Sequence, residues 1–65
     1  MTGLPSSLRV ARVEAGLSQA QLAQQVGIAR QTFNQIEQGE TDPRLSTAMR
    51  IARALGKSVE ELFSA

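Results

Sequence analysis

Glycines at positions 16, 27, 39 and 56 each follow an apolar-periodic run, and this punctuation restricts the fold more than any other feature of the sequence. A glycine just past a helical run is where a left-handed residue commonly ends a helix. Four stops therefore imply five short helices, with Pro43 adding a further break. The first run extends from about Ser6 to Ala15, with a core stripe of Leu4, Leu8, Ala11 and Ala15. The second opens with Ser18 and, three residues later, Gln21, a capping-box pair flanked by Leu17 and Leu22 in hydrophobic-staple positions. A fourth run carries Leu45, Ala48, Ile51, Ala52 and Leu55 as its stripe. Ser58 and Glu61 then form a second capping box, starting a short last helix with Val59, Leu62 and Phe63. No strand alternation, repeat or low-complexity linker competes, so the sequence predicts an all-α fold of five helices.

At 65 residues the chain is one domain at most, 1–65, near the lower size limit for a self-sufficient apolar core, and it has no cysteine to form a disulfide. Its helices must pack efficiently or gain stability from a partner. The absence of both Cys and His removes thiol nucleophiles, imidazole bases, Ser-His-Asp triads and the common zinc sites. No pair of acids is arranged for glycosidase-type chemistry. The expectation is a protein that is not an enzyme and needs neither metal nor cofactor. With no long apolar run and no secretory leader, no membrane association is expected and the cytoplasm is the default compartment. Seven basic residues against six acidic ones give a net charge of +1. A nucleic-acid role would have to rest on where charges sit, not on their sum.

The stretch "SQAQLAQQVGIARQTFNQIE" at 18–37 reads as two helices joined by a tight turn. Leu22, Ala23 and Val26 point inward from the first, Gly27 makes the turn, and Ile28, Phe33 and Ile36 point inward from the second. The small Ala23 lets the two helices cross closely. With successive residues at 100°, Gln31, Gln35 and Gln38 fall opposite the core, Asn34 beside them and Arg30 at the flank. A surface that needs only solubility is usually given Glu and Lys, whereas amides both donate and accept hydrogen bonds. Gln and Asn match the N6 and N7 edge of adenine, and Arg the O6 and N7 edge of guanine.

The segments "GLSQAQLAQQVGIARQTFNQIEQG", "DPRLSTAMRIARALG" and "SVEELF" resemble the helix-turn-helix domains of the Cro and phage-repressor type, also called the xenobiotic-response-element type. The resemblance covers about residues 8–63 and several spaced motifs. It implies a five-helix, lambda-repressor-like domain that binds duplex DNA and regulates transcription, as a repressor more often than an activator. Helix three, about 29–38, would be the reader. Arg30, Gln31, Asn34 and Gln35 would face bases in the major groove, while Gln19, Gln38 and Arg44 would contact phosphate. Backbone amides at the starts of helices two and three would add phosphate contacts through the helix dipole. Arg12 and Glu37 match positions that typically pair as a partly buried, structural ion pair. A homodimer on a pseudo-palindromic operator is expected, because one small module makes few base contacts. By resemblance, its interface would include Met49 and Phe63. The implied location is cytoplasmic and nucleoid-associated.

Departures from the family pattern keep other readings open. The loop "GETDPR" places Glu40 and Asp42 where basic or neutral residues would approach phosphate, and only Arg44 in that segment suits one; it is equally a solvated helix-start residue. Ala29 stands at the usual serine or threonine cap of helix three. Lys57 replaces a common valine. Val10 and Val13, usually polar, should be exposed, either as ordinary surface residues or as a protein-partner surface. The chain could thus also be an antitoxin, the DNA-binding module of a ligand-sensing regulator, or a protein-interaction module on the same fold.

Overall fold

The computed structural model describes residues 7–63. Within them lie five helices and no strands: α1 (Ser7–Glu14), α2 (Gln19–Val26), α3 (Arg30–Glu37), α4 (Leu45–Leu55) and α5 (Val59–Phe63). Both capping boxes form. The Ser18 hydroxyl accepts from the Gln21 backbone N–H at 3.0 Å, and Gln21 Oε1 accepts from the Ser18 N–H at 2.8 Å. Ser58 and Glu61 make the same two contacts, each at 3.0 Å. The backbone N–H of Ser58, aided by its hydroxyl and by Lys57, holds the Glu61 carboxyl below its ordinary pKa. This contribution is present at neutral pH and is lost as pH falls through that lowered value.

Gly27 sets the angle between α2 and α3. Its φ of 86° lies in the left-handed region, and its N–H closes on the Ala23 carbonyl at 2.8 Å. A side chain at this φ would be strained. Only residues 27–29 separate the two helices, so α3 leaves the turn already packed on α2. α2 also packs on α4, and α5 bridges α1 and α4. Phe33, Leu8, Leu22 and Ile51 are fully buried at the centre. Each such side chain contributes about 1.5–3 kcal/mol over exposure. Phe33 anchors α3 from its inner face.

The expected stripes hold with two exceptions. Ala15 is exposed because α1 ends at Glu14, leaving it in the closing turn, where its N–H donates to the Ala11 carbonyl. Leu45 is 71% exposed. Leu45 is the first residue of α4 and is not among its buried residues, and helical side chains lean toward their own N-terminus, which at a first position is away from the rest of the helix. Ala48, Ile51 and Ala52 are buried, and Leu55 packs partly against them. Ile28, expected in helix three from the sequence, belongs to the turn and is half-buried. Leu4 and Ser6 of the expected first run lie outside the described residues. No helix among the described residues is long and apolar enough to cross a membrane.

Ala29 is the N-cap of α3 and offers no side-chain hydrogen bond. Its extended backbone, with φ −66° and ψ 146°, is one in which a serine hydroxyl reaches the first-turn amides. Ala29→Ser is expected to add about 1 kcal/mol. That corresponds to a rise in melting temperature of roughly 4–8 °C in a domain of this size. An unchanged thermal melt would show that the hydroxyl finds no amide there.

Candidate nucleic-acid interface

Because Phe33, Ile36 and Glu37 face inward, the rest of α3 is turned outward. Arg30 and Gln31, in its first turn, are exposed. Asn34 and Gln35, one turn later, are half-buried, and Gln38, the C-cap, is exposed. The sequence-predicted stripe is therefore graded, open at the N-terminal end of the helix and partly enclosed in the middle.

Asn34 belongs to a hydrogen-bonded chain that crosses three helices. Glu37 is only 7% exposed. Its Oε2 accepts from Arg12 Nε at 2.8 Å and its Oε1 from Arg12 Nη2 at 3.2 Å. The expected ion pair thus forms with bidentate geometry. Arg12 also donates through Nη1 to the Leu17 carbonyl at 2.8 Å, tying α1 to the chain entering α2. Glu37 Oε1 accepts a further bond from Gln19 Nε2 at 2.9 Å. The same Gln19 nitrogen donates to Asn34 Oδ1 at 2.9 Å, and Gln38 Nε2 donates to that Asn34 oxygen at 3.3 Å. Among the described residues, no buried side-chain polar atom lacks a partner.

Sequence reasoning found the ion pair but not the amide chain. A signal was available: a carboxylate accepts about four hydrogen bonds, and one arginine in fork geometry leaves acceptor capacity that burial makes costly to waste. A neighbouring donor was required, and Gln19 supplies it. Both amide protons of Gln19 are consequently engaged inside the protein. The groups it still presents at the start of α2 are its backbone N–H and its amide oxygen, and first-turn N–H groups have no partner within their own helix.

The remaining predicted residues lie on other elements. Arg44 is the exposed N-cap of α4, and Glu40 and Asp42 are exposed in the loop before it. Met49 is 43% exposed, while Phe63 is half-buried against the core. Val10 and Val13 are exposed on α1.

The helix-turn-helix family model matches residues 8–62, which is most of the chain. The chain belongs to this family. Its family is one of DNA-binding transcriptional regulators. This helix-turn-helix chain is 47% identical over 57 residues to an HTH-type transcriptional regulator of Methanothermobacter thermautotrophicus, covering 86% of its own length and 83% of the relative's. Among solved structures it resembles the restriction-modification controller protein C.AhdI from Aeromonas hydrophila, with a TM-score of 0.80 and 35% identity. It also resembles the P22 c2 repressor protein, solved in complex with a synthetic operator, with a TM-score of 0.82 and 28% identity. Each of these two alignments covers 88% of this chain and 86% of the other. The lambda-repressor-like arrangement of five helices expected from the sequence is therefore the observed one.

Proposed function

We propose that this helix-turn-helix chain binds duplex DNA sequence-specifically and represses transcription, with α3 lying in the major groove. The observation that carries this reading is the open N-terminal end of α3, where Arg30 and Gln31 project from a helix fixed to α2 by a three-residue turn. Arg30, Gln31 and Gln35 are the base-facing side chains. An arginine bidentate to guanine, or a glutamine to adenine, each discriminates by about 1–3 kcal/mol. Gln19, through its backbone N–H at the start of α2, joins Gln38 and Arg44 in holding phosphates. The protein acts without catalytic chemistry, metal or cofactor, as one domain in the cytoplasm on nucleoid DNA.

Two copies on a pseudo-palindromic operator are the working unit, since a single small module reads few bases. Met49 and the exposed edge of Phe63 are the contact assigned to the second copy. Selection of bound sequences from random duplex DNA tests the proposal. Two inverted half-sites about 10 bp apart are expected, the spacing that places two recognition helices one DNA turn apart. Failure to enrich any sequence would reject it. The exposure of Val10 and Val13, at 42% and 59%, favours a second reading in which α1 docks another protein. That reading gains if no sequence is enriched.

The acidic loop provides a separate electrostatic test. Replacing Glu40 and Asp42 together with Lys should tighten binding to any duplex. It should also steepen the fall of affinity with salt, by about 0.9 in log–log slope for each additional phosphate neutralised. The ratio of specific to random affinity should stay nearly constant, because phosphates carry no sequence information. Titrations at several salt concentrations measure this. An unchanged slope would mean that the loop faces away from DNA.

A further inference from the structure

We infer that Asn34 is a positioning residue, the end of a directional hydrogen-bond relay that starts at the Arg12–Glu37 ion pair, and not a base reader. This deepens the DNA-binding reading, on which it rests, by separating the side chains of α3 that read from the one that holds.

The direction of the relay follows from donor and acceptor chemistry. Glu37, ionised against Arg12, can only accept. The Gln19 side chain beside it must therefore present its NH2, not its oxygen, to Glu37 Oε1 at 2.9 Å. With that nitrogen fixed, its second proton points at residue 34. Asn34 must answer with Oδ1, at 2.9 Å. Gln38 donates to the same oxygen at 3.3 Å. Turning the Asn34 amide over would set its NH2 against the Gln19 NH2 and lose that bond, and the exposed Gln38 would have to turn its own amide to stay in contact. Turning Gln19 over would set its oxygen against the Glu37 carboxylate. Each orientation is imposed by the one before it, and the first is imposed by a charge that is almost completely buried.

The consequence for recognition is specific. An asparagine reads adenine with both ends of its amide, the oxygen accepting from N6 and the nitrogen donating to N7. In Asn34 the oxygen's two lone-pair sites are already occupied by Gln19 and Gln38. Only Nδ2 is left for DNA, and a lone donor separates bases poorly, because N7 of either purine, O6 of guanine and O4 of thymine all accept. The oxygen's role is instead to hold together two side chains from different elements. Gln19 opens α2 and Gln38 ends α3, and both lie where phosphate contacts are proposed.

Asn34→Ala tests this in two independent ways. Side-chain amide NMR of the free protein should show one Gln19 NH2 proton moving to the shift of a solvated glutamine, while the other, bonded to Glu37, keeps its position. Selection from random duplex DNA should return the wild-type base preference at every position. Affinity should fall by a similar factor, roughly three- to tenfold, on the selected and a scrambled site, because Gln19 and Gln38, no longer held by Asn34 Oδ1, must be ordered on binding where the phosphate contacts are proposed. Loss of preference at one base position with the others intact would make Asn34 a reader and overturn the inference. So would unchanged Gln19 amide signals, since the relay would then not exist. If the wild-type protein itself enriches no sequence, the DNA-binding proposal fails, and the relay is judged on the amide spectra alone.

Discussion

Glu37→Ala should lower the stability of the protein by about 3–5 kcal/mol, the usual result of removing one partner from a buried ion pair. A domain this small has a total margin of similar size, so the variant is expected to be largely unfolded near room temperature. The loss has three sources. The Arg12 guanidinium, whose side chain is 12% exposed, keeps its desolvation cost without its counter-charge. Gln19 loses an acceptor, and α1 loses its main polar tie to α3. Arg12→Ala should be nearly as damaging, since it leaves the Glu37 carboxylate, 5% exposed, without its cation. Arg12→Met combined with Glu37→Leu should recover part of the loss, because apolar residues of similar volume need no pairing. Arg12→Lys should not rescue, as an ammonium cannot form the two-pronged contact while also reaching the Leu17 carbonyl. Urea and thermal unfolding of the two singles and the double decide the matter. Losses that simply add would show that the two residues act independently.

Most of the fold was legible because its determinants are local. The spacing of glycines, the two capping boxes and the apolar stripes each need only neighbouring residues, and the five helices start and stop within a residue or two of where these signals place them. Leu45 and Ala15 failed for a reason the same signals do not carry: both lie at helix ends, where the stripe continues on the wheel but the opposing layer does not. The candidate site was legible in a different degree. The direction of α3's outer face follows from Phe33 and Ile36, so exposure of Arg30 and Gln31 could be read directly. The linkage of Gln19 to Asn34 and Glu37 joins residues 15 and 18 positions apart in the chain, and it depends on how closely α2 and α3 cross. A helical wheel treats each helix alone and gives Asn34 an outward direction without showing what already occupies its oxygen.

Gln31→Ala should cost about 1–3 kcal/mol on the selected operator while barely changing binding to random duplex. Gln31 is exposed in the first turn of α3 and belongs to none of the internal amide bonds, so truncation leaves the relay and the core untouched. Both ends of its amide are free for a base edge, which is what distinguishes it from Asn34. Gln19→Ala should behave differently. Its two amide protons bond Asn34 and Glu37, so its removal loosens the contact between α2 and α3 and displaces the phosphate-holding groups around it. Affinity should then fall by a similar factor on operator and scrambled DNA, because phosphate contacts carry no sequence information. Melting temperature should fall with it, whereas Gln31→Ala should melt like the wild type. Neither neutral amide displaces many counterions, so the salt dependence of binding should hardly move in either variant. Titrations on both DNAs at two salt concentrations, on protein first shown to be folded, separate the outcomes. Equal losses on both DNAs for Gln31→Ala would remove α3 from the reader's role. No loss in either variant would take DNA reading away from α3 and favour the protein-docking reading, in which α1 presents Val10 and Val13.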